Sequence, residues 1–397
     1  MPAPRFDVRS IGPSVYLPSL LFGIGQGAIV PVIPLAAREM GASVATAGLV
    51  VAFVGIGRII GDLPAGMLAM RMGERRAMLA ALTIVVAALG VCIAATSVIV
   101  LSAAVAAMGF ASAVFGLARH AYLADVMPYE LRGRALSTLG GTHRIGMFLG
   151  PFLGAATMGR LGLDGAFWLH VVVALAAASV LLVVPDPTGP THRRTVRDVN
   201  VPPDGITRVI RRQAPVLRTL GVAALLVGAA RASREVAIPL WGEHIGLSPA
   251  ATSLVFGLSG AFEMLMFYPA GMTMDRFGRR WVVVPSMLIL GTSLLLMPLT
   301  GGDGTFAAVA MLMGFGNGLG SGIIMTIGAD MSPEGSRAAF LGAWRLFADV
   351  GHGVGPVLVS AVTAIASLAA AVAAAGGVAY LAAALMARWI PRHGSVR

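Results

Sequence analysis

The chain is 397 residues long, 57% hydrophobic and only 12% charged, and its 29 basic residues, all arginine, outnumber 18 acidic ones for a net charge of +11. Soluble domains run near half apolar and about a quarter charged, so this balance excludes an ordinary soluble core and points to lipid as solvent. The arginines fall in short clusters between apolar runs, which fits loops on one membrane face better than a nucleic-acid-binding stripe.

The first ten residues precede a long apolar run with no small-residue cleavage site, so the first span is expected to be retained. Crossing about 30 Å of hydrocarbon takes roughly 20 residues. The first half offers runs near 14–37, 45–70, 77–95, 98–124, 135–159 and 165–184. The second half offers runs near 216–240, 249–274, 281–300, 305–329, 338–363 and 367–387. These predict an all-α membrane protein of twelve helices, with domains at 1–184 and 216–397 joined by a polar linker at 185–215. Cys92, the single cysteine, lies in an apolar run and reads as a packing residue.

Arginine placement sets the expected topology. Arg5 and Arg9, the loop residues Arg71, Arg75, Arg76, Arg132 and Arg134, and the linker all fall on one side. Arg276, Arg279, Arg280, Arg337, Arg388, Arg392 and Arg397 continue it, while the opposite loops contribute Arg38 and Arg160. The positive-inside rule then puts both termini and the linker in the cytoplasm, as in a bacterial inner-membrane protein.

The stretch LPAGMLAMRMGERR, starting at Leu63, returns at Tyr268 as YPAGMTMDRFGRR. Pro64 and Pro269 lie 205 residues apart. The same offset matches Gly66, Arg71, Gly73 and Arg75 with Gly271, Arg276, Gly278 and Arg280. It also matches Pro34 with Pro239, Asp125 with Asp330, and Gly146, Gly150 and Pro151 with Gly351, Gly355 and Pro356. Chance matches among small apolar residues do not keep Pro, Arg and Asp in one register. The halves read as parallel six-helix repeats about an axis along the membrane normal.

With its twelve spans, basic linker and GMLAMRMGERR loop, the chain resembles the major facilitator superfamily over nearly its whole length. That family's loop between helices 2 and 3 reads G-x-L-A-D-R-x-G-R-R. Gly66, Leu68, Ala69, Arg71, Gly73 and Arg75 fit it, while Met70 and Glu74 depart from it. The resemblance implies cytoplasmic gating loops built from Gly66, Arg71, Gly73, Arg75, Asp125, Asp275, Arg276, Gly278 and Arg280. With Met70 in place of an acid, the first loop is expected to latch less firmly than the copy that keeps Asp275. The arginines would serve topology in either case.

GMFLGPFLGAA in the fifth span, with Gly146, Gly150, Pro151 and Gly154, resembles a motif of drug and metabolite antiporters in that superfamily. Gly-mediated helix packing is the plainer reading of the same residues. The helix 4 arginine often found in these antiporters is absent, because Val105 occupies the position four residues before Gly109.

Ionisable residues inside the spans are costly and suggest function. Arg58, Arg119, Arg144, Arg231, Arg234 and Arg345 are basic; Asp62, Glu235, Glu263 and Asp349 are acidic; His143, His170 and His352 can titrate. The 205 register maps Arg58 onto Glu263 and Arg144 onto Asp349. Family helix contacts then suggest ion pairs Arg58–Asp349 and Arg144–Glu263 lining a cavity, with Glu263 or Asp349 exchanging a proton. The local alternatives are i,i+4 pairs Arg58–Asp62, Arg231–Glu235 and Arg345–Asp349. Arg58, Asp62, Arg144, Arg231, Glu235, Glu263, Arg345, Asp349 and His352 form the candidate substrate and proton cavity.

No P-loop, metal-spaced Cys/His set or nucleophile–base pair is legible, so neither an enzyme, a metal site nor a cofactor is expected. The resemblance implies a monomeric secondary transporter in lipid, using a proton gradient to export small amphipathic molecules. The surplus of arginine leaves uptake or exchange of a small organic anion as an alternative. A non-transporting receptor on the same scaffold is a second.

Overall fold

Helix starts and stops repeat with the same 205-residue spacing as the sequence motifs. Ser43 and Ser248 each cap a helix, their Oγ atoms accepting from the amides of Thr46 at 3.1 Å and Ala251 at 3.2 Å. Gly41 and Gly246 turn the chain just before these caps at φ 83° and 86°. At the other ends of the same helices Gly73 and Gly278 adopt φ 83° and 94°. Residues with a β-carbon rarely enter that region, which explains why both turns keep glycine.

The computed structural model describes residues 12–127, 131–184, 211–333 and 337–390, and every regular element among them is helical. Helices α1 (Leu17–Ile29) and α2 (Val32–Glu39) form the first span. They are followed by α3 (Val44–Met72), α4 (Glu74–Ala94), α5 (Val98–Val126), α6 (Arg132–Leu161) and α7 (Asp164–Val183). The second half contains α8 (Val222–His244), α9 (Pro249–Phe277), α10 (Arg280–Leu296), α11 (Asp303–Leu319), α12 (Ile323–Asp330), α13 (Arg337–Ile365) and α14 (Leu368–Trp389). Most of the expected linker, residues 185–210, lies outside the described residues.

Among the described residues ten helices are long and apolar enough to span a membrane, and the pair Ser14–Ile29 and Val32–Glu39, bent by 42°, makes an eleventh. The remaining predicted span, α6, has 30 residues but carries Arg132, Arg134, Arg144 and Arg160 along its length. The twelve-helix expectation therefore holds in order and position. Both α3 and α9 run through internal prolines, Pro64 and Pro269, to end a few residues later than hydropathy alone suggests.

Contacts divide the chain into two compact units. In the first (Met1–Val32 with Ile56–Asp198), α1 packs on α6 and α7, and α4 packs on α5 and α7. In the second (Ile33–Gly55 with Val199–Arg397), α8 packs on α13 and α14, and α10 packs on α11 and α14. These are the same pairings shifted by one repeat. The second unit also takes in Ile33–Gly55, where Gly55 sits against Gly353, and Gly48 against Ser360 and Val236.

Glycine lets the key pairs approach. A β-carbon at Gly146 or Gly150 would collide with the backbone of Leu20, Ile24 or Ala28 on α1. In the second unit one at Gly351 or Gly355 would collide with Leu225, Ala229 or Ser233 on α8. Each contact recurs 205 residues on, so the repeat extends to individual backbone atoms.

Candidate functional site

Buried charge gathers in one centre per unit. In the second, Arg231 and Arg234 lie three residues apart on α8, and Arg234 is only 7% exposed. Phe256, Ser259 and Glu263 line one face of α9, spaced by three and four residues. Arg234 donates from Nη1 to Ser259 Oγ at 3.1 Å and from Nη2 to Glu263 Oε2 at 2.9 Å. Its guanidinium also lies 5.6 Å from the centroid of the Phe256 ring.

Arg231 donates from Nη2 to the carbonyl of Gly320, where the tenth span breaks between α11 and α12. Gly322, at φ 77°, makes that break possible. The Oδ1 of Asn317, three residues before Gly320, and the Nε of Arg234 are buried without a hydrogen-bond partner. A broken span with charged neighbours is a common setting for transporter binding sites.

Within the second unit, both acids of the two expected cross-half pairs have partners of their own. Glu263, expected opposite Arg144, is held by Arg234 from the adjacent span. Asp349, expected opposite Arg58, accepts from Arg345 on its own helix at 3.4 Å, which is the local i,i+4 alternative. Arg345 is 64% exposed, so that bond is weak. Arg234 stood among the intramembrane arginines but not among the candidate cavity residues. Its three-residue spacing from Arg231 and the Ser259/Glu263 face of the next helix were the available signals.

Arg58 and Arg144 are exposed on α3 and α6, while Asp62 and Glu235 are half-buried on α3 and α8. His352 donates from Nδ1 to the carbonyl of Ala348 at 3.0 Å, one turn back on its own helix.

The first unit has a different centre. Arg119 on α5 is 9% exposed and donates from Nη1 to Ser19 Oγ at 2.7 Å. Phe115 lies under its guanidinium at 5.9 Å and stacks on Phe22 at 4.2 Å. His143 stacks against the same Phe22, and His170 meets it edge-on. Gln26 donates to Ser112 Oγ at 2.7 Å.

The gating-loop residues divide by role. Gly73 and Gly278 make the turns, whereas Gly66 and Gly271 sit inside helices with open space where a β-carbon would be. Arg75 donates to the carbonyls of Leu181 and Val184, closing the carboxyl end of α7. Arg71, Asp275 and Arg276 are exposed, and Arg280 is half-buried. Arg276 lies 5.2 Å over its neighbour Phe277. Asp330 is held by Arg279 at 2.7 Å. The side chain of Asp125, its equivalent in the first repeat, lies outside the described residues.

Among the helix 5 motif residues, Gly146 and Gly150 are required by packing, as described above. A β-carbon at Gly154 would stand 3.3 Å from that of Ala28, a close but tolerable distance, and the second repeat carries Val359 there. Pro151 is accommodated inside the continuous helix α6.

At the opposite end from the arginine-rich turns, Arg38 donates from Nε to both carboxylate oxygens of Glu243, at 2.9 and 3.0 Å. Arg38 had entered the sequence reading only as a minority charge in the opposite loops.

Solved structures with this architecture include the D-xylose–proton symporter, with a TM-score of 0.72 at 18% identity over 97% of this chain and 98% of that one. A bacterial homologue of the human lysosomal transporter Spinster, inward-facing and unoccupied, gives 0.75 at 15% identity over 97% of each chain. The nucleoside transporter NupG gives 0.75 at 12% identity over 95% of this chain and 98% of that one. Identities this low speak for the fold alone. Two uncharacterised MFS-type transporters of Mycobacterium tuberculosis are 24% identical over 172 residues, which is 42% of this chain and 25% of theirs. The match thus spans a quarter of the length of those relatives. The Major Facilitator Superfamily profile, in contrast, matches residues 15–233 and 220–397. Repeat, packing and profile together place this integral membrane chain in the Major Facilitator Superfamily of transporters.

Proposed function

We propose that the chain is a secondary transporter that exchanges protons for small amphipathic compounds, exporting them by alternating access between two six-helix bundles. The observation that carries this reading is the buried Arg234–Glu263 pair. Arg234 is sealed, whereas the Glu263 side chain keeps 30% of its surface exposed and is the member a proton can reach. Protonating Glu263 removes one negative charge and weakens its bond to Arg234. Ser259 then remains as a neutral acceptor, and the guanidinium gains affinity for any other acceptor that arrives. Arg231 and Glu235 on α8 and Asn317 on α11 are further polar groups on the helices flanking this pair.

The helix 5 motif supports export, although its first two glycines are also explained by packing. The arginine pattern supports a bacterial inner-membrane orientation with both ends in the cytoplasm.

Proteoliposomes holding an internal pH dye test the coupling. With ethidium, tetraphenylphosphonium and benzoate added in turn, at least one is expected to move protons through the parent protein. Glu263→Gln should abolish that movement. Equal coupled flux in parent and variant removes Glu263 from the mechanism, and solute binding without flux in the parent favours a receptor.

A further inference from the structure

The two buried arginines differ in what neutralises them. Arg234 in the second unit has Ser259 and the carboxylate of Glu263. Arg119 in the first unit, equally sealed, makes one hydrogen bond among the described residues, to the neutral hydroxyl of Ser19. Its Nε is buried without a partner. The ring of Phe115 orients the guanidinium but cancels little of its charge.

A neighbouring charge deepens the deficit: Arg58, also basic, lies within electrostatic range of Arg119. The 205 register shows the origin of the asymmetry: Glu263, the acid that serves Arg234, stands where the first repeat has Arg58. The Arg234 centre keeps its acid, and the equivalent position beside Arg119 carries a second base. Burying an arginine without a counter-ion is strongly unfavourable, and intramembrane positions make it more so.

We propose that Arg119 binds the anionic group of the transported compound, so that the substrate class is small organic anions bearing a carboxylate, phosphate or sulfonate. This rests on the transporter reading and narrows its substrate. Arg119 lies seven residues from the end of α5, about 10 Å along the helix axis, in the half of the span nearest the arginine-rich turns. Ser19 fixes Nη1, which leaves the other edge of the fork for an incoming oxygen.

Thermal unfolding of the full-length protein in detergent tests the proposal with a charge-matched series. Benzoate, phenyl phosphate and benzenesulfonate should raise Tm, while benzamide and benzylammonium at the same concentration should not. Arg119→Gln should abolish the anion-induced shift, and its ligand-free Tm should exceed that of the parent because an uncompensated charge has gone. Arg119→Lys should retain the shift with at least tenfold weaker apparent affinity. Arg160→Gln, which removes an arginine outside both charged centres, should retain it in full, and because the readout is binding without flux, anion binding and proton coupling fail separately. Equal shifts across the series, or an anion shift that survives Arg119→Gln, overturns the proposal. An Arg119→Gln protein that is less stable or does not fold gives the guanidinium a structural role and overturns it too.

Discussion

Arg38 and Glu243 occupy equivalent positions in the two repeats, 205 residues apart, and are bonded to each other. Identical charges there would repel, so this contact requires the repeats to have diverged to opposite charge. Arg38 also donates to the carbonyl of Ala42, which ties the pair to the turn at Gly41. At about one-third exposure each, the partners contribute on the order of 1 kcal/mol or less. Glu243→Gln should therefore leave global stability nearly unchanged while speeding amide exchange across Ile33–Gly55. The double swap Arg38→Glu with Glu243→Arg should restore protection. Unchanged exchange in the single variant would mean that the glycine contacts at Gly48 and Gly55 hold the segment alone.

The glycine interlock gives a graded prediction. Gly150→Ala and Gly355→Ala place a methyl group into the backbone of the facing helix, where neither side can yield cheaply. Overpacking of this kind typically costs about 1–3 kcal/mol. Gly154→Ala approaches Ala28 no closer than 3.3 Å, with its backbone at 3.4 Å, and should cost far less. Thermal unfolding of the three variants should rank Gly154→Ala closest to the parent. If all three unfold alike, the close helix approach is not what these glycines serve.

The fold was legible because its determinants are short-range. Apolar run length and the 205 register both survive without knowledge of tertiary contacts, and Pro64/Pro269 and Gly73/Gly278 marked both repeats. The buried charges were harder to place. A charged residue on a helix has several neighbours at similar range, and helix rotation decides which one it meets. Glu263 was expected across the halves, opposite Arg144, and its bond to Arg234 one span away was not anticipated. Arg38–Glu243 was visible in the register as a pair of opposite charges, but each sits near a loop where charge is ordinarily read as topology. His143 and His170, noted as titratable, pack around Phe22 instead of joining the cavity set.

Glu74 explains why the two arginine-rich turns are unequal. Its equivalent in the second repeat is Arg279, which holds Asp330 at 2.7 Å across the start of α10 and the end of α12. The first repeat has Glu74 and Asp125 at these positions, two acids that cannot attract one another. Arg279→Gln should destabilise the second unit by about 0.2–1 kcal/mol, the range for partly exposed pairs. Glu74→Arg should add a comparable increment to the first, and protection of the Gly73 turn from amide exchange is the readout. A loss of protection there would show that Glu74 already has a favourable role at the start of α4.

The Arg234–Glu263 pair separates stability from function. Removing the carboxylate leaves a sealed guanidinium with only Ser259, whereas removing both partners leaves no buried charge. Breaking a buried pair from one side costs about 3–5 kcal/mol. The partial exposure of Glu263 lowers that expectation here. Glu263→Gln should accordingly be less stable than the double variant Arg234→Gln with Glu263→Gln, despite carrying fewer substitutions. Thermal unfolding of both single variants and the double variant closes the cycle. Proton movement, in contrast, should be absent from every variant lacking Glu263, including the double variant whose stability has recovered. A double variant that regains both stability and coupling would show that the pair is structural and that the proton travels through another acid.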